Sequence, residues 1–189
     1  AIVVESGATL AIATSDGTGY ASTAGLTIRG TMTKGSGNFH DTLNRNVILD
    51  GGTISATDGN TTSGAAYNLF GHTVTTAAGT TSNITITSST LQLRTEGVAT
   101  PAFDVVSTST LNVNAVVDGY LGTETTPLNK SGGGTMVLSQ VNKYDGPTNI
   151  NGGILRISGS GSLNEGNYAG AISIASGASL DYASSADQV

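Results

Sequence analysis

The sequence predicts an all-β chain, a single-stranded parallel β-helix of about eight coils of roughly 22 residues with uncapped ends. Three observations lead there. Apolar residues alternate with Thr, Ser and Asn over short stretches and nowhere fall at helical spacing, so strands are expected and helix is nearly absent. Thr, Ser, Gly and Asn supply 91 of the 189 residues, a composition suited to pleated surfaces and tight corners, while Val, Ile, Leu and Phe number only 42 and suit a narrow core. The alternating segments also repeat along the chain.

The repeat has two short strands around a small-residue corner. Ile2-x-Val4 to Leu10-x-Ile12 matches Phe103-x-Val105 to Leu111-x-Val113, Leu128-x-Lys130 to Met136-x-Leu138, and Ile172-x-Ile174 to Leu180-x-Tyr182. Three copies are a residue shorter between the halves: Val47-x-Leu49 to Ile54, Ile84-x-Ile86 to Leu91, and Thr148-x-Ile150 to Leu155. A truncated copy begins at Leu26-x-Ile28. First positions therefore fall at 2, 26, 47, 84, 103, 128, 148 and 172. Apart from the 37-residue interval between 47 and 84, their mean spacing is about 22 residues, too long for a hairpin repeat and without the helix of a βαβ unit. Stacked at roughly 4.8 Å per coil, such units build a rod on the order of 40 Å long.

The chain 1–189 reads as one β-helix segment, with a protruding loop or an irregular coil expected at 58–80, where the long interval leaves a surplus. The sequence opens directly in Ile2-Val3-Val4 and stops soon after Tyr182 without a capping helix. Open terminal coils expose apolar side chains and unpaired backbone groups, so the expectation is a segment of a longer solenoid or a subunit that stacks end to end with its own copies. No signal peptide, membrane anchor or start Met is seen, as expected of an excised or processed piece.

A net charge of −6, with seven Lys and Arg scattered along the chain, offers no basic stripe to a phosphate backbone, so no nucleic-acid partner is expected. No long apolar run is present, so no direct membrane insertion is expected either. The absence of Cys excludes disulfides and thiolate chemistry.

From Leu128 to Leu155 the sequence resembles the passenger-associated transport repeat of bacterial autotransporter passengers and related secreted proteins. The residues that carry the resemblance are Leu128, Lys130, Gly132, Gly134, Thr135, Leu138, Ser139, Asn142, Tyr144, Gly146, Thr148, Ile150, Gly153 and Leu155, with Gln140 in place of a usual glycine. The resemblance implies a right-handed coil and an extracellular or bacterial cell-surface location. It also implies a non-enzymatic role as adhesin, stalk or display scaffold, with a host or matrix surface, carbohydrate or protein, as partner. Two other functions are kept beside it. One is a homopolymeric extracellular filament, self-associating through open β-helix ends; the other is a polysaccharide-acting β-helix enzyme.

Enzymes of that last kind need two or three carboxylates close together on one face. Asp50, Asp58, Asp104, Asp118, Asp145 and Asp181 are available, but none has an acid beside it in the sequence, and Asp104 and Asp181 belong to different strands of their units. Solvated or turn-forming Asp is the expectation, with no catalytic residue, no metal and no cofactor. His40 and His72 are too far apart for a metal cluster. Ser131-Gly132-Gly133-Gly134-Thr135 lacks the Gly-Lys-Ser/Thr ending of a phosphate loop and reads as a corner. Thr-x-Thr pairs such as Thr31 with Thr33 and Thr85 with Thr87 raise ice binding, but Thr85 and Thr87 are placed in a first strand and no flat array is expected. The candidates for ligand or partner contact are His72 and Tyr67, both in the 58–80 segment, and Tyr144; the six Tyr mostly fall between the apolar positions of the units, where exposed rings serve adhesion.

Overall fold

The structure, a computed structural model, describes residues 1–14, 24–35, 41–57, 65–95, 99–120 and 125–188; His40, Asp58 and the 58–64 part of the long interval lie outside them. Two parallel sheets run the length of the molecule. The first wall is β1 (Ile2–Val4), β3 (Leu26–Ile28), β6 (Val47–Leu49), β9 (Thr73–Thr76), β11 (Ala102–Asp104), β13 (Leu128–Ser131), β15 (Thr148–Ile150) and β17 (Ile172–Ile174), hydrogen-bonded in that order. The second is β2 (Thr9–Ile12), β4 (Thr31–Lys34), β7 (Thr53–Ala56), β10 (Thr81–Arg94), β12 (Thr110–Gly119), β14 (Thr135–Leu138), β16 (Ile154–Gly159) and β18 (Ser179–Ser184). After a register shift between Thr85 and Thr90, the second half of β10 pairs with β8 (Ala65–Phe70), which in turn pairs with β5 (Asp41–Leu43), and so begins a third wall. The chain is a parallel β-solenoid. A strand one coil further on always pairs in the same direction, which no antiparallel sandwich allows.

The stacking is literal in the first wall. Ile2, Leu26, Val47, Val74, Phe103, Lys130, Ile150 and Ile174 form one vertical file through seven successive pairings. All between the two ends of this file are buried to within 1% of complete enclosure. Complete burial of each Val, Leu, Ile or Phe contributes about 2 kcal/mol against the chain entropy of forming a coil. The outermost rungs differ: Ile2, Val3, Ile172, Ile174 and Tyr182 are exposed. Eight rungs leave seven steps, so the coil number is slightly lower than the eight expected and the mean step, about 25 residues, slightly longer.

Two alignments are corrected. Ile84 and Ile86 belong to the second wall, in register with Ile54 and Ala56, and the first-wall strand of that coil is β9, around Val74. The 37-residue interval therefore disappears into steps of ordinary length. The signal was hidden because the inward position after Val74 is Thr76, whose hydroxyl accepts the Val106 N–H at 3.1 Å and pairs with the Ser109 hydroxyl inside the core. Likewise Phe103 stacks on Lys130 and not on Leu128, a shift of two residues that alternation cannot detect because parity is preserved. Residues 65–76 form walls of the solenoid.

Every described corner between the first and second walls except Arg29-Gly30, between β3 and β4, uses a left-handed residue. Gly7, Gly51, Gly79, Gly132, Gly153 and Gly177 take φ between 60 and 77° there, and the equivalent residue between β11 and β12 is Thr108, at φ 67°. A β-branched residue in this region is strained by about 1–2 kcal/mol. Thr108→Gly is accordingly expected to stabilise the chain by about 1 kcal/mol, read as a raised thermal unfolding midpoint; a midpoint that stays put or falls would show that Thr108 is unstrained.

Candidate functional site

A set of buried polar side chains lies in the coils built by β13 to β16. Lys130 enters the apolar file between Phe103 and Ile150 and is fully buried. Its ammonium donates to three backbone carbonyls, Ser131 at 3.1 Å, Gly132 at 2.7 Å and Gly152 at 2.7 Å. Gly132 and Gly152 sit at the same corner of successive coils, so the amine clips one coil to the next. Glycine is required around it. A Cβ on Gly134 would lie 2.3 Å from the Val106 carbonyl oxygen, and one on Gly153 would lie 2.3 Å from that of Gly134.

Twelve residues beyond Lys130, Asn142 ties three coils together. Its Oδ1 accepts the Val117 N–H from the preceding coil at 3.0 Å, while its Nδ2 donates to Gln140 O at 2.8 Å and to Ser162 O, in the following coil, at 3.0 Å. The side chain is completely buried and every hydrogen-bonding group on it is used. Beside it a relay of hydroxyls crosses the coil: Tyr144 OH meets Thr148 Oγ1 at 2.9 Å, Thr148 Oγ1 meets Tyr168 OH at 2.7 Å, and Tyr168 donates to Gly146 O at 2.6 Å. One direction satisfies all three, each hydroxyl donating to the next. The two rings pack edge to face with centroids 5.9 Å apart. Burial pushes both phenols above their ordinary range, so both stay neutral donors.

A family model described as the passenger-associated-transport-repeat matches residues 128–157, the stretch that supplies the lysine clip, the asparagine tie, the glycine corners and two of the three hydroxyls. The chain carries a passenger-associated transport repeat. Together with the solenoid, it fits a segment of an autotransporter passenger. No curated protein and no solved structure matches the chain.

Within the transport repeat, the motif residues thus divide by mechanical role. Leu128, Leu138, Ile150 and Leu155 fill the core, Gly132 and Gly153 turn the corner, and Lys130 and Asn142 bind coil to coil. Lys130 also gives the segment a pH dependence. Burial, opposed by nearby Asp104, lowers its pKa from 10.5 to about 8. The folded chain therefore releases this proton before the unfolded chain does. At neutral pH burial disfavours the charged amine, while its three carbonyl contacts favour it. That penalty is relieved as pH rises from about 8 toward 10.5. In denaturant titrations wild type is expected to gain on Lys130→Met across this window, and parallel pH profiles would refute it.

The sequence-predicted contact residues fare differently. Tyr67 is completely buried, with its hydroxyl donating to Ser55 O at 3.1 Å, and Tyr144 is only 1% exposed. Both are corrected from surface contacts to core residues; Tyr67 is in register with Leu91, in a strand buried on both faces. His72 occupies the corner between β8 and β9, half-buried, its Nε2 3.0 Å from Asn44 Oδ1.

Acids are brought into ladders that local sequence does not reveal. Glu5 and Asp50 flank Arg29 at 3.1 and 2.9 Å, and Asp181 meets Arg156 at 2.6 Å. Lys143 lies 3.5 Å from Glu165. Asp118 is pushed above the usual carboxylate range, chiefly by burial, with Asp145 and Glu165 adding to it and Lys143 opposing. The signal that could have found this group is the coil period itself, since Asp118, Lys143 and Glu165 recur at 25 and 22 residues. Such exposed pairs are screened by water and contribute little to stability.

On the outer face of the second wall Thr85 is corrected from a first-wall to a second-wall position, and among the described residues no Thr-x-Thr pair stacks on another there. Thr31 and Thr33, Thr53 and Ser55, Asn83 and Thr85, and Asn112 and Asn114 follow one another on successive coils. Asn112 Nδ2 donates to Asn83 Oδ1 at 3.1 Å within this array.

Proposed function

We propose that the chain is a non-enzymatic structural segment of an extracellular or cell-surface passenger, projecting or presenting an adhesive face. The observation that carries this reading is the transport repeat, whose polar residues turn inward to hold coils together, beside earlier coils whose second wall presents Thr, Ser and Asn outward. An uncharged, hydrogen-bonding face of this kind suits weak, repeated contacts to carbohydrate or to a protein surface on the host or in the matrix. The non-enzymatic part draws support from the ion-pairing of Glu5, Asp50, Glu165 and Asp181 to cations across coils.

The test has two arms. Antibody and protease accessibility on intact bacteria expressing the full open reading frame should place the segment outside the cell. The purified segment should then be retained on matrix- or carbohydrate-coated surfaces and lose retention when Thr33, Ser55 and Thr85 are replaced together by Lys. Purely intracellular protein, or hydrolysis of the polysaccharide by the segment, would overturn the reading.

A further inference from the structure

Asn151 and Gly152 form the only Asn-Gly pair in the sequence. They lie at the corner between β15 and β16, in the coil that the Lys130 clip closes. Asn151 is exposed. Among the described residues its side-chain amide has no hydrogen-bond partner, nor has the Gly152 N–H, while the flanking N–H groups are engaged, Asn151 to Lys130 O at 2.7 Å and Ile154 to Gly134 O at 3.1 Å. A free main-chain N–H next to a free side-chain amide, with no Cβ on the following residue to block approach, is the arrangement that cyclises.

We propose that Asn151–Gly152 is a self-modification site, at which the Gly152 nitrogen attacks the Asn151 side-chain carbonyl carbon, and that the product loosens the Lys130 clip. The bond from Gly152 N to Asn151 Cγ forms and the Cγ–Nδ2 bond breaks; the proton lost from Gly152 N leaves with the amide nitrogen as ammonia. Water then opens the five-membered imide. Opening on one side leaves an aspartate in the normal main chain; opening on the other leaves an isoaspartyl link, with an extra methylene between Ile150 and Gly152. Water is the only co-reactant, and it reaches the exposed corner.

The consequence follows from what surrounds the corner. Gly152 O is one of the three acceptors of Lys130, and a Cβ on Gly152 would lie 3.1 Å from Gly132 O, so the two coils are already close. Lengthening the main chain here displaces that carbonyl while the Asn151 N–H remains anchored on Lys130 O. Isoaspartate therefore unlatches the transport repeat from the next coil. Simple conversion to aspartate keeps the main-chain length and the latch.

Incubating the folded chain at mildly alkaline pH and mapping its peptides by mass spectrometry tests the chemistry. The expected result is a mass increase corresponding to exchange of NH2 for OH at position 151 before any other asparagine changes, with isoaspartyl methyltransferase labelling that Asn151→Gln abolishes. An unchanged position 151 in the folded chain, while the urea-unfolded chain modifies normally, overturns the site. The isoaspartyl form, separated by ion exchange, is expected to unfold at a lower temperature than the starting protein, and Asn151→Asp close to it. Equal midpoints for the isoaspartyl form and the starting protein overturn the link to the clip.

Discussion

Asn142→Ala is expected to lower the free energy of unfolding by about 3 kcal/mol. Three hydrogen bonds are lost, and they are not equivalent. Gln140 O still receives Ser162 N at 3.3 Å, and Ser162 O still receives Asn142 N at 3.0 Å, so those carbonyls keep a donor. Val117 N–H loses the side-chain oxygen it donates to at 3.0 Å, in a part of the core closed to water. An orphaned buried donor costs about 1–3 kcal/mol, two lost neutral bonds about 1 kcal/mol each at most, and the vacated volume adds to both. Asn142→Asp separates these contributions. It keeps an oxygen for Val117 but sets a second against Gln140 O and Ser162 O, so it should be at least as damaging. Urea titrations of the three chains measure the differences; a loss below about 0.5 kcal/mol for the alanine chain would mean that the tie contributes only what an ordinary surface residue does.

Gly153→Ala is expected to be of similar size, about 3 kcal/mol, and for a different reason. The residue sits at φ 60°, where a Cβ is strained, and that Cβ would lie 2.3 Å from Gly134 O and 2.7 Å from Gly132 O. Neither neighbour is a flexible side chain that can swing away. Relief requires the corner of one coil to move off the corner of the next, which stretches the contact of Lys130 to Gly152 O. Because coils interact with nearest neighbours, the damage should stay local: hydrogen exchange is expected to quicken in β13 to β16 and remain at wild-type rates in β3 and β6. Uniform acceleration along the whole solenoid would contradict that locality.

The lysine clip was half legible from the sequence. Lys130 stands at an inward position of the alternating pattern, two residues after Leu128, and inward parity is what the structure shows. What it bonds to was not legible, because Gly152 lies one coil away and its carbonyl has no sequence signature. The same limit explains Tyr67 and Tyr144. A ring at an alternating position can face in or out, and only the neighbouring wall determines whether space exists for it. The acidic group around Asp118 was missed because its members are adjacent only across coils.

From the sequence alone came the solenoid, the scarcity of helix, the glycine corners and the transport repeat. Each is a property of short windows: alternation sets which residues face inward, and a left-handed corner admits little but glycine. Tertiary structure alone decided that Val74 carries the fourth rung, that Phe103 rests on Lys130, and that Thr33, Ser55 and Thr85 share one face. The reason is that moving a strand by two residues keeps its inward and outward faces unchanged, so periodicity is blind to it. Contact between coils is not: only one of the two registers lets the side chains and corner glycines of a coil fit those of the coil beneath.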